Sequence, residues 1–132
     1  MAWVDVTVDT PVKSGKYMAC TKSTSRVYTL AGDAKFERCQ VIPMDVWVDE
    51  LGIRIEVNGF QMSNTWVVNI DEDNRFEVTH WRRYANLPDS VAQNAAEFGS
   101  LTEARKYAET MNLKGYKLEV LDDNKARVEW TW

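Results

Sequence analysis

Over most of its first eighty positions the chain alternates apolar and polar residues, the period of a half-buried β-strand. In the opening segment Val4, Val6 and Val8 fall on one face and Asp5 and Thr7 on the other. Pro11 ends that segment, and Ser14-Gly15 marks a turn. Positions 16–20 and 26–30 read as two more strands, separated by a Thr/Lys/Ser turn. Ala31-Gly32-Asp33 turns the chain into a strand over 35–42. Pro43 interrupts there, as suits a strand end or a sheet edge. Ile53, Ile55 and Val57 alternate with Arg54 and Glu56, and Asn58-Gly59 then leads into Phe60-Gln61-Met62. Asn-Gly between alternating segments is a strong hairpin signal, because both turn positions need positive φ. Positions 66–70 and 75–81 form a further pair around the acidic turn Asp71-Glu72-Asp73-Asn74.

After Pro88 the pattern changes period. Ser90-Val91-Ala92-Gln93 fits a capping box and predicts a short helix ending at Gly99. Ser100-Leu101-Thr102-Glu103 is a second capping box. It opens a predicted helix with Leu101, Ala104, Ala108 and Met111 on one face, stopped near Gly115. Positions 116–121 and 126–132 predict a last hairpin around Asp122-Asp123-Asn124. The expectation is a single α+β domain over residues 1–132. It comprises a mainly antiparallel β body (1–87), then two consecutive short helices and a C-terminal β-hairpin (88–132).

Composition narrows the function. The 132 residues fit one domain with a core of its own. No apolar run approaches the roughly 18–20 residues of a membrane span. The N-terminal residues lack the basic start and apolar stretch of a signal peptide, so a cytoplasmic location is expected. The formal net charge of −4 argues against nucleic acid as a partner and is too small for nucleic-acid mimicry. One histidine, His80, and two separated cysteines, Cys20 and Cys39, make a four-ligand zinc site an unlikely use of these residues. No cofactor is expected, and the cysteines read as buried free thiols, with one disulfide between them as the alternative.

Strand parity sorts the six tryptophans. Trp66 shares a face with Val68 and Ile70, and Trp130 and Trp132 share one with Val128, so these three read as core. Trp3, Trp47 and Trp81 fall on the polar side of their strands. Either that face is covered or a bulge shifts the parity, or the rings form an exposed patch for a partner. Trp47, between Asp45 and Asp49, is the candidate docking residue.

The segment His80-Trp81-Arg82-Arg83-Tyr84 is the other candidate site, since paired arginines with aromatics can hold a phosphate and stack on a base. The competing reading puts His80 on the Phe76/Val78 core face and leaves Arg82 and Arg83 to end a strand in solvent. Phosphate-loop, dinucleotide, nucleophile-elbow and zinc-protease motifs are absent, and the paired acids fall in turns. A cysteine nucleophile would need His80 as its base.

Two segments together carry a resemblance. Trp3-Val4-Asp5-Val6 is followed by Pro11 and Gly15-Lys16-Tyr17, and far downstream come Val78-Thr79-His80-Trp81 and Leu87-Pro88. Over residues 3–88 the chain resembles the small phage and prophage proteins of domain of unknown function family 551. It departs from their pattern at Arg82-Arg83-Tyr84-Ala85-Asn86 and in the region after Pro88. The resemblance implies a phage-type accessory protein in the bacterial host cytoplasm, with Trp3 and Trp81 packed together. The expected function is non-enzymatic: binding, and thereby inhibiting, a bacterial host protein. The alternative is a sponge for a nucleotide or another small anionic ligand at His80–Tyr84, and a small enzyme is the third reading.

Overall fold

The computed structural model describes residues 2–85 and 92–131. Its centre is one long hairpin. Strands β2 (Gly15–Thr29) and β3 (Gly32–Asp49) pair along their whole length, from Gly15 opposite Val46 to Thr29 opposite Gly32. The far edge of β2 carries β7 (Arg75–Arg83), which in turn pairs with β1 (Val4–Asp5) and β6 (Val67–Asn69). Two partners share the far edge of β3. Residues 45–49 pair with β4 (Gly52–Val57), which leads to β5 (Phe60–Ser63). Residues 34–39 pair with β8 (Gln93–Phe98), followed by β10 (Ala126–Thr131) and β9 (Lys117–Val120). Helix α1 (Leu101–Thr110) completes the fold, and all the strand pairings are antiparallel.

The two predicted strands at 16–20 and 26–30 are one strand. The intervening Thr21-Lys22-Ser23-Thr24-Ser25 contains neither Gly nor Pro, and β3 and β7 supply ladder partners on both sides of it. Pro43 does not end β3. It falls where β3 lies between its β8 and β4 pairings, a local edge at which a missing N–H is tolerated. The opening strand is shorter than predicted. After Asp5 the chain turns, with the Val8 and Asp9 N–H groups donating to the Asp5 carbonyl, and Val8 is exposed rather than core.

One face of the sheet builds two cores. Around β2, β3, β4, β5 and β7 the sheet curls into a half-barrel filled by Ala19, Met44, Val46, Ile55, Val57, Met62, Phe76 and Val78. Phe60 of β5 stacks on Phe76 of β7 at 4.5 Å, which closes the curl. Trp66 and Val68 pack on this cluster as predicted, while Ile70 is exposed. The predicted Asn58-Gly59 hairpin forms, with φ of 51° and 82°.

The second core lies beneath α1. Phe98, Ala96, Ala126, Val128 and Trp130 meet Ala104, Tyr107 and Ala108 of the helix. Ser100 caps α1, its Oγ accepting from the Glu103 N–H at 3.2 Å, as the capping box predicts. The helix stops earlier than expected, so Met111 is its half-exposed C-cap and not part of the buried stripe. The closing hairpin is as predicted, with Asp122–Asn124 in its turn. Trp132 lies outside the described residues.

The α+β expectation is overturned. Among the described residues the fold is mainly antiparallel β with a single helix. The predicted first helix is strand β8 over Gln93–Phe98; Ser90 and Val91 lie outside the described residues. Its alanines carry a helix preference worth under about 1 kcal/mol each. Against that, β8 sits between β3 and β10 and gains a ladder on both edges. The alternation is also strand-like once the partners are known: Asn94, Ala96 and Phe98 are buried on the helix side. No helix among the described residues is long and apolar enough to cross a membrane.

Candidate protein-binding face and the His80 segment

The outer face of the sheet, opposite the two cores, carries the Trp47 site and part of the His80 segment. On β3, Val46 and Val48 point inward, which sends Asp45, Trp47 and Asp49 outward opposite Glu56, Arg54 and Gly52 of β4. Parity was therefore read correctly here: Trp47 is 44% exposed. It borders a hollow of about 270 Å³ with Arg54, Glu56, Gln61 and Ser63.

The acids on either side of Trp47 differ. Asp49 is engaged: it accepts the Leu51 N–H at 2.9 Å and pairs with Arg54 at 3.3 Å. Asp45 lies directly opposite Glu56, and neither makes an ion pair among the described residues. Like charges opposed across a ladder are destabilising. The cation opposite Asp45 on β2, Lys16, sits instead over the Tyr84 ring at 5.0 Å.

The ribbon that presents Trp47 is held from behind by Asn64. Its Oδ1 accepts the Ile53 N–H at 2.8 Å and its Nδ2 donates to the Leu51 carbonyl at 3.3 Å. Gly52 has φ +121°, and a Cβ there would strike the Asn64 amide. Only glycine lets the side chain close over this turn.

The His80 segment follows directly on a β-bulge. Cys20 opposes His80 but Thr21 opposes Val78, so Thr79 has no partner of its own on β2. Beyond the extra residue every side chain changes face. Trp81 joins the inner face opposite Ala19, packs edge-on to Tyr17 at 5.4 Å, and donates its Nε1–H to the Asp9 carbonyl at 2.9 Å. His80 moves outward, which overturns its expected place beside Phe76 and Val78. Its Nδ1 lies 3.0 Å from the Thr79 hydroxyl, and its Nε2 lies 3.9 Å from Asp5. Trp3 does not stack on Trp81 as the resemblance implied. Val4 takes the position opposite Trp81, and the Arg82 guanidinium lies 4.4 Å over the Trp3 ring.

The five residues His80–Tyr84 therefore do not form one site. His80 and Arg82 face outward, Trp81 faces inward, and Arg83 opposes Tyr17. Trp81 cannot stack on a ligand, and Arg82 is already stacked. Folding also brings Arg26 of β2 to Asp73 of the acidic turn at 3.7 Å.

The register sets Asp5, His80 and Cys20 in a row across β1, β7 and β2, a juxtaposition that sequence spacing could not show. The row is not an activated nucleophile. The imidazole is directed at Thr79 and Asp5, and burial raises the Cys20 thiol above its ordinary value, only partly offset by Arg82. Among the described residues no group of three or more His, Cys, Asp or Glu side chains converges on a metal position.

Asp5 itself is held below the ordinary carboxylate range, first by the Thr7 N–H at 2.8 Å and then by the Thr7 hydroxyl at 2.7 Å. A depressed carboxylate favours the fold above its unfolded pKa, and that support is lost as pH falls through the folded pKa. Thr7→Val is expected to move the Asp5 pKa upward. An NMR titration of the Asp5 carboxyl checks this, and an unchanged midpoint would contradict it.

Comparison of the chain with protein families, with curated proteins and with solved structures finds no match.

Proposed function

We propose that this chain is a non-enzymatic binding protein that docks a basic surface of a partner protein through Trp47, with Asp45 and Glu56 beside it. The observation that carries the reading is a half-exposed tryptophan on the braced β3–β4–β5 ribbon, next to two carboxylates opposed at a cost to the fold. A lysine or arginine on a partner relieves that repulsion, and tryptophan is among the commonest anchors of interfaces. In the setting implied by the resemblance, a phage-type accessory protein in bacterial cytoplasm, the partner is a host protein that docking inhibits. The small-ligand reading has less support, because alternation along β7 splits its residues between two faces.

The test is affinity capture from bacterial lysate with the wild-type chain and with Trp47→Ala, followed by titration of the captured protein. Trp47→Ala is expected to weaken binding by about 2 kcal/mol or more, with a urea melt showing that the variant remains folded. Association should slow with added salt, and Asp45→Asn/Glu56→Gln should remove most of that salt dependence. Equal binding by wild type and Trp47→Ala would overturn the proposal.

A further inference from the structure

The two cysteines of the chain lie on neighbouring strands of the outer face. Cys20 on β2 opposes Val41, and Cys39 on β3 opposes Lys22, so the thiols are diagonal neighbours across the ladder. Both are free and half-buried, and both line a single hollow of about 260 Å³ with Lys22, Val41 and Gln93. Diagonal neighbours in a ladder sit about 7–8 Å apart. A disulfide closes without backbone movement only when its Cα atoms lie within about 6.8 Å. A diagonal pair therefore lies at or beyond the reach of a disulfide. Both side chains leave the sheet on the same face and line the same hollow, as a single ion bridging two thiolates requires.

The kind of ion follows from what else is present. Zinc takes four ligands, and no third His, Cys, Asp or Glu converges with the two thiols among the described residues. Two thiolates alone suit a soft ion that accepts two ligands in line. We propose that Cys20 and Cys39 form a two-thiolate site for a soft monovalent cation, of which cuprous ion is the representative. On binding, both S–H bonds break, two protons pass to solvent, two sulfur–metal bonds form and no electron is transferred.

The bound group carries one net negative charge. Arg82 faces it from the Cys20 side, where His80 is the cross-strand neighbour, and Lys22 and Arg127 face it from the Cys39 side; Glu37 and Glu77 oppose it there. An ordinary cysteine is protonated at neutral pH, so the ion must displace both protons, and its affinity should climb about a hundredfold per pH unit. A single thiolate would give about tenfold.

Titration of cuprous ion from a chromogenic chelator under ascorbate, over a range of pH, tests the site. The expected result is one ion per chain with the two-proton slope, no change in oligomeric state, and loss of binding in both Cys20→Ser and Cys39→Ser. Metal-free melting temperatures of the variants show that they are folded. X-ray absorption on the wild-type complex, which needs no variant, should show two sulfur neighbours and no further ligand. Retention of binding by either serine variant, one ion shared between two chains, or a shell of three or four ligands would overturn the proposal.

Discussion

Phe98→Ala is expected to lower the free energy of unfolding by about 3–5 kcal/mol, a large part of the roughly 5–15 kcal/mol that holds a domain of this size. Phe98 is 1% exposed and is the largest of the fully buried side chains. The residues opposite it on both neighbouring strands are alanines, Ala34 on β3 and Ala126 on β10. The two small side chains leave the space that the ring fills, and Tyr107 of α1 meets it at 5.2 Å. The surrounding alanines cannot grow into the cavity left by truncation, and the backbone is fixed by ladders on both edges of β8. The site therefore collapses poorly, which puts the cost toward the upper end. Phe98→Leu keeps much of the volume and should cost under about 2 kcal/mol. Urea melts of the two variants check this. A Phe98→Ala loss no larger than that of Phe98→Leu would show that the alanine frame is not what makes the site rigid.

Trp81→Ala has the second largest expected effect. The bulge at Thr79 sets Trp81 on the inner face opposite Ala19. Truncation loses the burial of the ring, worth about 2 kcal/mol or more, and its hydrogen bond to the Asp9 carbonyl, about 1 kcal/mol more. The variant should melt at lower urea. Deletion of Thr79 tests the bulge itself. It makes Val78 and His80 consecutive opposite Thr21 and Cys20, so the ladder becomes regular while His80 stays outward and Trp81 inward. The deletion should therefore cost less than Trp81→Ala and leave the native emission unshifted. Thr79→Ala keeps the extra residue and loses only the hydroxyl that donates to the Cys20 carbonyl at 3.3 Å, so it should cost about 1 kcal/mol. A deletion as costly as Trp81→Ala, with its emission shifted red as an indole enters water, would show that the extra residue is needed to place the ring.

Much of this architecture is legible before folding. The Asn58-Gly59 hairpin, the Ser100 cap and the closing β9–β10 hairpin are local devices, determined by residues close in sequence. The inward faces of β4 and β10 likewise follow from alternation alone. Trp47 falls on the outer face because no irregularity intervenes between it and the buried Met44 and Val46. The errors share one cause. Strand 93–98 reads as helix because its partners, β3 and β10, come from distant parts of the chain. Alternation along β7 alone puts His80 and Trp81 on the wrong faces, because a bulge is a mismatch between two strands and one strand carries no sign of it. Cys20 and Cys39 become neighbours only once β2 and β3 are paired.

By itself the sequence determined a β-rich domain, its tight turns, its helix cap and the outward position of Trp47, because each depends on backbone preference and on side-chain period within a few residues. Only the tertiary structure decided that β8 is a strand, that Thr79 turns Trp81 into the core and His80 out of it, and that the two thiols share one hollow. Each of those outcomes rests on pairing between segments far apart in the chain, where the ladder and the burial it brings outweigh local propensity.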